Sequence, residues 1–84
     1  MSSLRWVPRL RPTTKTAWKR AVLRLNRDIE TKGGYKFYRG ELVVVRHVYP
    51  DGTLNLGRYS NAGVNLDQND DSFQVIGERQ DIFR

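Results

Sequence analysis

The chain has no cysteine, one histidine and one methionine among its 84 residues. Without cysteine there are no disulfides, no thiolate nucleophile and no cysteine-held zinc. A small cysteine-free domain fits a reducing compartment, and the expected location is the cytoplasm. With His47 as the lone histidine, one chain offers no two-histidine metal site. Long apolar stretches are also missing. The longest, Leu42-Val43-Val44-Val45, is far below the roughly 18–20 residues that cross a bilayer, so no membrane partner is expected. Residues 1–12 carry scattered arginines and no apolar h-region, unlike a secretory signal. Their Arg-rich, acid-free composition is shared with organellar transit peptides.

The signatures of catalysis are equally sparse. The chain has no G-x-S-x-G, no Walker loop and no G-x-G-x-x-G. Gly33-Gly34 follows an expected helix, the wrong end for cradling phosphate. Alternation along Val43, Val45 and His47 places the histidine on the strand face of the two valines, with no nucleophile or orienting partner nearby. No enzymatic activity and no cofactor are expected. Asp67, Asn69, Asp71 and Glu78 occupy positions 1, 3, 5 and 12 of a calcium loop, but Ser72 stands where the tight curl needs glycine. That segment reads as a polar turn held by Asx hydrogen bonds, and no metal is expected.

What the chain does have is positive charge, and it is unevenly placed. Residues 1–36 hold ten Lys or Arg against Asp28 and Glu30, a balance of +8, whereas residues 37–84 balance to −2. Such asymmetry points to a basic element facing an anionic surface.

Periodicity divides the chain into an arm and one domain. Residues 1–13 form a flexible basic arm, where Pro8 and Pro12 deny a continuous helix. Residues 14–84 form a single α+β domain. Within it, Trp18, Val22, Leu25 and Ile29 follow the i, i+4, i+7, i+11 spacing that predicts an amphipathic helix over 14–32. Thr14 or Thr16 would cap it and Gly33-Gly34 would stop it. Arg20, Arg24 and Arg27 would then share the opposite face, and Leu23 falls off the apolar stripe. From Tyr35 the period becomes two. Leu42–Tyr49 and Thr53–Tyr59 flank Pro50-Asp51-Gly52, a hairpin signature. Val64–Leu66 and Phe73–Ile76 follow as short strands around the acidic loop 67–71. The expected fold is a small antiparallel β-barrel or bent sheet over 35–77, with a tail at 78–84.

Gly40 opening a strand, the Val43–Val45 alternation, the Asp51-Gly52 turn and the closing Phe73–Val75 give residues 40–77 a pattern that resembles SH3-like and KOW-type small barrels. The resemblance implies a module that binds proteins or nucleic acids through loops and one sheet face.

The candidate binding residues are Arg5, Trp6, Arg9, Arg11, Lys15, Lys19, Arg20, Arg24 and Arg27. Cations on one side neutralise phosphates and release counterions, and Trp6, Tyr35, Phe37 and Tyr38 offer faces on which bases stack or on which the core packs. The expected partner is therefore nucleic acid, RNA or DNA, bound without sequence readout. The alternative is an accessory subunit whose arm docks on an acidic protein surface, with Trp6 and Leu10 as apolar anchors.

Overall fold

The computed structural model describes residues 10–57 and 63–82, so Arg5, Trp6 and Arg9 of the arm lie outside the described residues. The described chain is a small α+β domain, mostly antiparallel sheet with two short helices.

Helix α1 spans Lys15–Arg20, far shorter than the helix expected over 14–32. Thr14 is its N-cap, with Oγ1 accepting from the Ala17 N–H at 3.1 Å. At Ala21 the backbone turns extended and strand β1 begins, Ala21–Leu25. The physical reason lies in burial. Ala21, Val22, Leu23 and Leu25 are all buried, which a one-sided helix on the surface does not offer but a central strand does. Leu23, off the helical stripe, is wholly buried in the core.

The rest of the expected helix is a loop and strand β2, Ile29–Glu30, paired with β3, Lys36–Phe37. Gly33-Gly34 is the turn of that hairpin, not a helix stop. Gly34 takes φ +88 and donates to the Thr31 carbonyl at 3.1 Å.

Strand β4, Leu42–Val48, and β5, Thr53–Gly57, form the expected hairpin. Gly52 supplies φ +93 in its turn, and the Asp51 carboxylate accepts from the Thr53 N–H at 2.9 Å. Strands β6, Gly63–Asp67, and β7, Phe73–Glu78, complete a five-stranded sheet in the order β6-β5-β4-β1-β7. Helix α2, Arg79–Ile82, follows in the expected tail. The sheet is open: among the described residues β6 and β7 are its two ends, so it is not a closed barrel.

One face of the sheet holds the main core, in which Leu23, Leu25, Val43, Val45, Leu54, Leu56 and Phe73 meet Trp18 of α1 and Phe37 of the β2–β3 hairpin. Trp18 meets Phe73 edge-on, 6.2 Å between centroids, and its indole N–H donates to Gln68 Oε1 at 3.2 Å. On the other face Val22, Val44 and Ile76 form a smaller cluster, and Ile82 of α2 packs on it. Gly77 makes room for that contact, since a β-carbon there would lie 2.9 Å from Ile82 Cδ1.

A bulge between Val45 and His47 corrects one expectation. It shifts the register, so Val48, not His47, rejoins Val43 and Val45 in the core. His47 is exposed on the face away from the main core, opposite Asn55.

Candidate nucleic-acid interface

With α1 ending at Arg20, the cations expected on one helical face do not form one. Arg20 is the exposed last residue of α1. Arg24 stands on the face of β1 away from the main core, opposite Leu42 and Gln74, its Nη2 3.7 Å from the position a β-carbon would take on Gly40. Arg27 lies beyond β1 and donates from Nε to the hydroxyl of buried Ser72 at 2.6 Å. It thereby ties the β1–β2 loop to the turn before β7, which Asn26 reinforces by donating to the Ser72 carbonyl at 2.6 Å.

Arg11 is structural as well. Its Nη1 donates to the Gln68 carbonyl at 2.6 Å and its Nη2 to the Phe73 carbonyl at 2.9 Å, with the guanidinium 4.4 Å from the Phe73 ring centroid. The chain entering the domain is thus fastened to it before α1 begins.

Three candidate residues remain directed to solvent on a single element. Lys15, Lys19 and Arg20 are exposed on α1, whose core side is Trp18. At 100° per residue they lie within about 140° of arc. No acidic residue stands in the first turn of α1.

The acidic segment forms local turns. Asp67 Oδ1 accepts from the Asn69 N–H at 2.8 Å and Asp70 Oδ1 from the Ser72 N–H at 2.7 Å. The hydrogen bond from Ser72 is the chief reason the Asp70 carboxyl titrates below its ordinary value, with Arg27 and Arg11 adding attraction. Asp51 is lowered too, first by the Thr53 backbone N–H. Among the described residues no cluster of three His, Cys, Asp or Glu is placed to hold a metal.

A concavity of about 640 Å³ between the β2–β3 hairpin and β6 is lined by Thr31, Lys32, Tyr35, Val64 and Asn65. Tyr35 is 56% and Tyr38 57% exposed, whereas Phe37 between them is core. Lys36 Nζ sits 5.5 Å from the Tyr38 ring centroid. Of the aromatic faces considered from sequence, these two tyrosines are therefore surface and Phe37 is packing.

Sequence reasoning passed over a further group. His47, Asn55 and Asn65 stand opposite one another across β4, β5 and β6, and Asn55 Nδ2 donates to Asn65 Oδ1 at 2.7 Å. The available signal was the polar residue at each solvent-facing strand position. It needed the bulge to bring His47 into the row. No protein family, curated protein or solved structure matches the chain. Among the described residues, no helix is long and apolar enough to cross a membrane.

Proposed function

We propose that the protein is a non-enzymatic binding module that holds nucleic acid by its phosphate backbone. The observation that carries this reading is α1 itself: Lys15, Lys19 and Arg20 project to solvent from a helix locked by Thr14 and Trp18. Arg11 fastens the chain to the domain immediately before α1. A net charge of +6, with its excess in residues 1–36, supplies the long-range attraction. Such contacts are electrostatic and sequence-tolerant, so binding is led by charge and shape.

The strand order supports an SH3-like reading of the domain. Strands β4, β5 and β6 are successive antiparallel neighbours, β1 lies between β4 and β7, and the β2–β3 hairpin is an excursion between β1 and β4. A cytosolic setting accords with a cysteine-free chain.

The test is a titration of binding to a generic duplex and a generic single strand against salt. Log affinity is expected to fall linearly with log salt, with a slope of several units. A K15E/K19E/R20E variant is expected to lose most affinity and about three units of slope, with thermal unfolding nearly unmoved because all three side chains are exposed. A salt-independent response, or no binding at about 50 mM salt, sinks the reading. One observation favours a second reading, docking on an acidic protein surface: Leu10 is 96% exposed beside a hollow lined by Pro12, Ala21 and Val75, an apolar anchor among cations.

A further inference from the structure

The face of β4, β5 and β6 away from the main core gathers side chains that the charge argument does not use. His47, Asn55 and Asn65 form one row across the three strands. Tyr49, just past β4, packs edge-on against His47 with 4.5 Å between ring centroids, and both rings are exposed. Arg46 reaches the same side. A β-carbon on Gly63 would lie 3.4 Å from Arg46 Nη1 and 3.4 Å from Asn55 Nδ2, so the guanidinium and the amide meet over a glycine. The result is a cation, two aromatic rings and two amides on one face of the sheet.

Each group suits one part of an unpaired nucleotide. Ring faces stack bases, amides carry both donors and acceptors for base edges, and a guanidinium pairs with phosphate. The bases of a duplex are stacked on one another and offer no free face. Tyr49 also shares the lining of one cleft of about 210 Å³ with Lys15 of α1, Trp18, Asp51 and Gln68. We propose that this face binds single-stranded nucleic acid, with His47 and Tyr49 stacking bases and Asn55 and Asn65 bonding their edges. The proposal rests on the nucleic-acid reading above and names its ligand class.

The experiment is fluorescence anisotropy of the full chain with a labelled single-stranded 15-mer, oligo-dT or oligo-U, and a blunt duplex of equal length. Wild type is expected to bind the single strand more tightly than the duplex. Changing His47 and Tyr49 together to Ala is expected to weaken single-strand binding about tenfold or more, from the loss of stacking, and to leave duplex binding within about twofold. Tyr49→Phe, which keeps the ring, should retain wild-type affinity, and this variant separates stacking from any disturbance of the fold.

Undiminished single-strand binding by the double alanine variant overturns the proposal while the backbone-binding reading stands. Duplex binding as tight as single-strand binding does the same. An oligoglutamate of equal length that competes as well as oligo-dT also overturns it, because that ligand has charge and no bases. Failure of wild type to bind either nucleic acid removes both readings together.

Discussion

The guanidinium of Arg11 lies 4.4 Å from the centroid of the Phe73 ring while its Nη2 bonds the carbonyl of the same residue. One arginine therefore packs on a core ring and satisfies two carbonyls, that of Phe73 at the start of β7 and that of Gln68 in the loop before it. A residue that sequence places among phosphate contacts works instead as a fastener for the arm. Arg11→Ala is expected to lower stability by about 2 kcal/mol, combining lost charge-assisted bonds with the lost ring contact. Urea unfolding checks this. An unchanged midpoint would return Arg11 to the list of free cations.

The segment 21–25 separates helix from strand most sharply through Leu23. On a helix facing the core with Trp18, Val22, Leu25 and Ile29, Leu23 would be peripheral and its truncation cheap. On β1 it is wholly buried opposite Val43 and Val75. Leu23→Ala and Leu25→Ala are both expected to cost about 2–5 kcal/mol, by lost burial and the cavity left behind. A small effect at Leu23 beside a large one at Leu25 would restore the helix.

The same segment explains what the sequence conveyed and what it hid. The β4–β5 hairpin was legible because Pro50-Asp51-Gly52 specifies the reversal and the flanking residues alternate. β7 was legible from Phe73 to Ile76 for its apolar alternation between turns. Residues 18–29 were not, because Val22 and Leu25 satisfy a helical period while the sequence carries no sign that β4 and β7 would cover both flanks of β1. That error propagated to the site. Arg20, Arg24 and Arg27 share a face only if the backbone between them is helical, and it changes at Ala21. The His47 row was hidden for a different reason: a bulge, whose one-residue slip reverses every later side chain, leaves no mark in the hydrophobic pattern until Val48.

Gln68 links three elements, and Gly52 is the residue that lets it. Its carbonyl holds Arg11, its Oε1 accepts from Trp18, and its N–H donates to the Gly52 carbonyl at 3.0 Å. Gly52 has φ +93, and a β-carbon there would sit 2.6 Å from Gln68 Nε2. Gly34 has a similar φ, +88, with nothing within 4 Å of that position. Gly34→Ala should therefore cost only the backbone strain, about 1–2 kcal/mol. Gly52→Ala should cost about 1 kcal/mol more, because the displaced amide loses its indole partner. Equal thermal shifts in the two variants would show that Gln68 moves aside freely and is not a hub.

Asp70 gives the fold a dependence on acid whose sign can be worked out. Its folded carboxyl titrates below the ordinary value of 3.8, first because the Ser72 group donates to it and then because Arg27 and Arg11 attract it. A group depressed in the folded state binds protons more readily once unfolded. It therefore adds stability above its unfolded value, and that stability is lost as pH falls from the ordinary value through the folded one. The urea midpoint is expected to hold between pH 7 and about 5 as far as this group is concerned, then to decline below about pH 4. The effect is modest because the carboxylate is largely open to solvent, which screens it. Asp70→Asn keeps an oxygen for the Ser72 N–H and discards the charge, so the variant isolates the ionic part. Its midpoint should fall less steeply over pH 4 to about 2 than that of wild type. Parallel curves for the two proteins would mean that the turn before β7 owes its order to the Asx bond alone and that Arg27 and Arg11 are indifferent to Asp70.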